Sequence, residues 1–160
     1  SFQISRPKMK NSITLIAACA VLLIIVGVWF VVTKPRPHRV LSTLKIGEAI
    51  YEVEVARSAA QQARGLSFRE SLPENRGMLF VFKVASSQRF WMFGMKIPLD
   101  FVWIRGGEVV ALSENIPAPK KSPPAIVSPD EPADQVLEIN AGEITRRGIK
   151  IGDPVILETD

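Results

Sequence analysis

Cysteine and histidine are almost missing from this 160-residue chain: there is one of each, Cys19 and His38, and neither falls in residues 40–160. That segment cannot run Ser-His-Asp or Cys-His nucleophilic catalysis, and it cannot build a His/Cys zinc site. Carboxylates are absent from residues 1–39, which hold six cations (Arg6, Lys8, Lys10, Lys34, Arg36 and Arg39). With the whole chain at +4, residues 40–160 carry −2. The basic character therefore belongs to the N-terminal flanks, and no nucleic-acid partner is expected from it. No glycine-rich loop leads from a strand into a helix with a lysine, so a nucleotide-phosphate cradle has no support and no cofactor is expected. Carboxylate chemistry, arginine-based anion binding, or no chemistry at all remain.

What is present begins with an uncharged apolar run over residues 12–33. At about 1.5 Å per residue it is long enough to cross a hydrocarbon core of roughly 30 Å. Trp29 and Phe30, followed by Lys34 and Arg36, fit an interfacial anchor. The sequence predicts a short basic tail at 1–11, a transmembrane helix at 12–33 with the lipid bilayer as partner, and a Pro/basic linker at 34–42. A water-soluble domain follows at 43–160. The run is too long, and too poor in small residues at its end, for a cleaved signal peptide. Ala17-Ala18-Cys19 only superficially resembles a lipobox. Lys/Arg counts on the two flanks are equal, so the short N-terminal tail decides orientation and places the domain outside the cytoplasm. His38 reads as a solvated linker residue.

The domain itself reads as short strands. Ile50–Val55 alternates apolar and polar residues, which describes a strand with one buried face. Ser58 and Gln61 form a capping box for a helix ending near Gly65. Met78–Phe82 reads as a buried central strand with Phe90–Phe93 as its partner. Phe101–Ile104 and Val109–Leu112 flank Gly106-Gly107 as a hairpin. Residues 114–132 hold six of the twelve prolines and are expected to lack regular structure. Val136–Ile139 returns to strand, Asn140 and Glu143 suggest the cap of a helix closed by Gly148, and Val155–Leu157 is a last strand. The predicted fold class is α+β and strand-dominated: a curled antiparallel sheet or small β-barrel with two short helices.

Candidate site residues are polar groups in apolar surroundings and clustered aromatics. Asp100 stands between Pro98-Leu99 and Phe101-Val102-Trp103. A buried carboxylate must be paired, hydrogen-bonded or protonated, either to fix a turn or to act as an acid, base or ligand contact. Arg64, Arg69 and Arg76 suit carboxylate or phosphate groups, and a salt bridge to Glu54 or Asp100 is the simpler role. Asp100, Arg69 and Glu54 are the catalytic candidates. Trp91, Phe93 and Trp103, with Arg64 and Arg76, are the ligand-binding candidates. Trp91 and Phe93 point opposite to Phe90 and Met92 along a strand, so one of the two sets can face solvent.

Gly65-Leu66-Ser67-Phe68-Arg69, Arg76–Phe82, the string Phe90–Ile104, and Val136–Gly142 with Gly148 and Gly152-Asp153 together resemble the domain-of-unknown-function family number 192. The resemblance covers residues 44–158 and implies a β-rich domain, often exported or membrane-attached, with no established reaction. Its matched polar positions are Arg69, Arg76, Asp100, Glu138 and Asp153. Two positions depart from the family: Ser67 stands where Met is usual, and Phe93-Gly94-Met95 stands for a Lys-Asn-Thr-like tripeptide. The expectation is a membrane-tethered module that binds a small ligand, glycan or peptide, or joins an envelope assembly. The alternative is an enzyme built on Asp100 and Arg69.

Overall fold

Period-two alternation and tight turns determine most of the backbone. The computed structural model describes residues 41–120 and 123–158. The basic tail, the apolar run at 12–33 with Cys19, and linker residues 34–40 with His38 lie outside them. Among the described residues no helix is long and apolar enough to cross a membrane.

Nine strands and two short helices form among the described residues. They run β1 (Leu41–Ile46), β2 (Ala49–Ala56), α1 (Ala59–Arg64), β3 (Arg76–Ser86), β4 (Phe90–Trp91), β5 (Leu99–Arg105), β6 (Glu108–Ile116), β7 (Ile126–Val127), β8 (Ala133–Asn140), α2 (Glu143–Arg147) and β9 (Val155–Glu158). Seven strands make one sheet in the order β6-β5-β8-β3-β2-β1-β9, curled into a half-barrel. β3 lies at its centre, as its apolar sequence predicts. Gly106 and Gly107 both have positive φ (59° and 84°), the conformation a two-residue turn needs to keep β5 and β6 in register.

The sheet's two edge strands meet at one end. Val109 N–H donates to Asp153 O at 3.0 Å, Gly152 N–H to Val109 O at 2.9 Å, and Val155 N–H to Gly107 O at 2.8 Å. These bonds seam the start of β6 to the approach to β9. The concave face packs Leu44, Tyr51, Val53, Leu79, Val102 and Leu137 into one core, with Ile144 and Ile149 over it. The opposite face of β3, β5 and β8 carries Met78, Phe80, Phe101, Trp103 and Val136. Leu66, Leu72, Met92 and Met95, from the irregular segments around them, cover that face. β5 is thus buried on both sides from Leu99 to Ile104, which explains its apolar run from Phe101 to Ile104.

The local caps and turns match their sequence signals. Ser58 and Gln61 form the capping box of α1, and Gly148 closes α2 in the left-handed region. Five details differ from expectation. Phe90–Phe93 does not pair with β3: only Phe90 and Trp91 are extended, and they pair with Ile126 and Val127 in a separate two-stranded sheet. Phe90 instead packs its ring edge-on against Phe80 at 4.8 Å, so this segment lies over the sheet rather than in it. β2 and β3 run parallel, because α1 and the loop after it return the chain to the same end, so the sheet is mixed rather than antiparallel. The Pro-rich stretch is not wholly irregular, since β6 continues to Ile116 and proline-free Ile126-Val127 forms β7. The linker ends earlier than residue 42, because Leu41 and Ser42 already pair with Glu54 and Val53.

Asn140 does not cap α2; the cap position is Gly142, which has no side chain to offer. Asn140 instead donates from Nδ2 to Leu72 O at 2.8 Å.

Candidate functional site

The segment from Gly65 to Arg69 leaves α1 through a strained turn. Phe68 has φ 64°, a conformation that costs a bulky residue on the order of 1–3 kcal/mol. Two bonds hold it there: Phe68 N–H donates to Gly94 O at 2.8 Å, and Ser67 Oγ donates to Phe93 O at 2.9 Å. Gly94 permits the arrangement, because a Cβ at that position would stand 2.8 Å from the Phe68 ring. The strain does not serve burial, since Phe68 is 65% exposed.

Around it the structure assembles an exposed aromatic ledge. Phe68 and Phe93 meet edge-on at 6.3 Å, and Phe93 and Trp91 lie 5.6 Å apart with tilted rings. Phe93 is 53% and Trp91 62% exposed. Beside the ledge opens a cavity of about 410 Å³, walled by Phe68, Phe93, Met95, Pro119 and Pro124, with Lys96 and Lys120 on its lining. Lys96 also pairs with Glu70. The prolines come from the Pro-rich stretch at 114–132.

The three predicted catalytic residues do not all converge. Arg69 forks onto Glu54, with Nη1–Oε1 at 2.7 Å and Nη2–Oε2 at 2.9 Å. Arg76 pairs with Glu52 at 2.9 Å. Glu54, Arg69 and Arg76 line a second cavity of about 290 Å³ with Ser71, Leu72 and Pro73. Asp100 does not join them. It is fully buried and accepts Asn115 N–H at 2.7 Å on Oδ1 and Ile144 N–H at 3.0 Å on Oδ2. A carboxylate so engaged fixes the approach to α2 and has no opening through which to reach a substrate. Trp103 is corrected as a ligand contact as well: it is fully buried, stacked on Phe101 at 5.8 Å, and donates from Nε1 to Ser113 Oγ at 2.9 Å. Arg64, in the last turn of α1, is exposed and lines a small third cavity.

Glu138 is the group the residue-level reading passed over; it was named only as a matched family position. It is 5% exposed, and burial pushes its carboxyl up to about 8 even though Arg69 and the Leu66 N–H pull the other way. Its sequence signal was phase: in β8 it shares a face with Val136, which is fully buried. Near α2, burial pushes the Tyr51 hydroxyl up to about 12, against the opposing Arg147 and Arg146. That hydroxyl donates to Glu143 Oε2 at 3.3 Å, a structural contact inside the barrel.

These features define a class: a strand-dominated half-barrel domain that presents an aromatic ledge and cavity, with its buried carboxylates spent on structure or held protonated. The chain belongs to the DUF192 family, described as "Uncharacterized ACR", which matches residues 41–157. Two solved structures are similar. One, from Sinorhizobium meliloti 1021, is described provisionally as a transcription regulator; it is 28% identical with a TM-score of 0.69, covering 77% of this chain and 98% of that one. The other, from Novosphingobium aromaticivorans DSM 12444, is a protein of unknown function; it is 31% identical with a TM-score of 0.67, covering 72% and 84%. No curated protein matches the chain.

Proposed function

We propose that this domain is a non-catalytic binding module, tethered outside the cytoplasm by the apolar run at 12–33, which takes small molecules with an apolar body and an anionic end. The carrying observation is the cavity of about 410 Å³ beside Phe68 and Phe93, whose apolar walls carry Lys96 and Lys120. Its size falls within the roughly 300–1,000 Å³ typical of small-molecule sites, where apolar walls supply affinity and a few polar groups fix orientation. Exposed aromatics held by a strained backbone fit the same reading, because strain retained at a surface marks a site rather than a core.

The test is calorimetry on the full chain in nanodiscs with aryl and alkyl carboxylates, against alcohols of equal length. Saturable binding of the carboxylates, weakened by Phe93→Ala and by Lys120→Ala, is expected. Equal binding of acids and alcohols, or binding indifferent to both substitutions, removes the proposal. For the tether, a reporter active only outside the cytoplasm and fused after Asp160 should give signal. An expressed but silent fusion reverses the orientation.

A further inference from the structure

Glu138 lies in β8 with Met78 of β3 and Phe101 of β5 as its cross-strand neighbours, both buried, so no polar group meets it from within the sheet. The Leu66 N–H donates to the carboxyl group, yet Oε2 has no hydrogen-bond partner among the described residues. An orphaned carboxylate oxygen is costly, and native structures retain one where something else completes it.

Glu138 is on the lining of a cavity of about 30 Å³, together with Gly65, Ser67, Phe80, Phe90, Trp91 and Met95. A single water needs about 10–15 Å³ by the same kind of measure, so the space suits one small polar head and little more. Gly65 keeps it open. At φ 48° a side chain there is strained, and a Cβ would stand 3.3 Å from Phe80 Cζ and 3.8 Å from Glu138 Oε2.

Charge decides which head fits. The cation acting on Glu138 is Arg69, which is already forked onto Glu54, while Arg64 reaches the lining from the exposed end of α1. Gln62, also on the lining, is occupied by the Ala56 and Val81 carbonyls. An ionised Glu138 would therefore have to share Arg69 with Glu54. Without an occupant, the carboxyl holds its proton near neutrality. A small cation with N–H donors balances the charge, satisfies Oε2, and meets the aromatic faces and thioether around it.

We propose that the cavity between α1, β8 and Trp91 is a site for the ammonium head of a small primary amine, with Glu138 as its carboxylate partner. On binding, the proton leaves Glu138 for solvent and the ammonium N–H donates to Oε2. The site is separate from the larger cavity: of the residues that line each, they share only Met95, and the amine site stands whether or not the larger one binds an acid.

The experiment titrates the full chain in nanodiscs with methylammonium chloride at pH 6, 7 and 8, reading the Gly65 and Leu66 amide resonances. Methanol and sodium chloride at matched ionic strength serve as controls. Saturable shifts specific to methylammonium are expected, with affinity rising about tenfold per pH unit up to about pH 8 as the displaced proton becomes easier to lose. Glu138→Gln should abolish them, and Trp91→Ala should weaken binding severalfold. Near-ultraviolet circular dichroism establishes that each variant is folded. No saturable shift at pH 8, equal shifts with methanol or sodium, an affinity independent of pH, or binding that survives in folded Glu138→Gln would each overturn the proposal.

Discussion

The Asp100 carboxylate caps a helix that it does not belong to: Oδ2 accepts the Ile144 N–H at 3.0 Å from 44 residues away in sequence. Gly142 occupies the cap position of α2 and has no side chain, so a strand residue satisfies the Ile144 N–H in its place. The other oxygen accepts the Asn115 N–H at 2.7 Å at the end of β6. One buried group thereby ties β5, β6 and α2 together.

Asp100→Ala removes two charge-assisted bonds and strands two backbone donors, so it should lower unfolding free energy by about 3–5 kcal/mol. Asp100→Asn keeps one acceptor and should cost less, about 2 kcal/mol. Urea titration of both variants checks the order. An Asn variant as stable as the parent would contradict the capping role.

The Arg69–Glu54 fork is four-fifths buried on both sides, with 18% and 19% of the two side chains exposed. A double-mutant cycle with Arg69→Met and Glu54→Gln should return a coupling of about 1–2 kcal/mol, above the usual surface pair. A coupling near zero would mean that the fork does not hold the loop after α1.

Glu138 makes stability depend on pH in the direction opposite to a salt-bridged acid. Its folded value, about 8, lies above the ordinary 4.5, so between these the native state binds more protons than the unfolded one. The contribution is intact below about pH 4.5 and is lost as pH rises to about 8. Glu138→Gln, neutral throughout, should flatten this slope and be more stable than the parent at pH 8 by a few kcal/mol. Melting curves across that range test the sign.

Phe68→Gly relieves a positive φ at an exposed position and should raise stability by about 1 kcal/mol, while removing part of the aromatic ledge. Gly94→Ala does the reverse, forcing a Cβ to within 2.8 Å of the Phe68 ring. Opposite shifts in denaturation midpoint, with both variants weakened for aryl carboxylates, would show that the strain serves binding.

Legibility followed the range of the interaction. The capping box at Ser58 and Gln61 and the Gly106-Gly107 hairpin are local chemistry, and the structure has them where the sequence placed them. The Arg69–Glu54 pair was open to reading because its alternatives were few. Phe90–Phe93 misled because strand and cover look alike when both are apolar, and only the position of Phe90 over Phe80 separates them. Asp100 showed that it was buried but not what it bonded, since its partners are backbone groups invisible to composition. The parallel step from β2 to β3 and the two-residue β7 depend on where distant segments come to rest. Glu138 and the aromatic ledge belong to the same kind of non-local geometry.

The seam between Gly107–Val109 and Gly152–Val155 carries a consequence for assembly in time. Its two halves are separated by about forty residues, and the later half includes the lead into β9. During synthesis the half-barrel core can gather early, but the seam cannot be latched until Val155 has been made. Shortening the chain before that point should leave β6 an open template, turning a self-terminated sheet into one that recruits its neighbours.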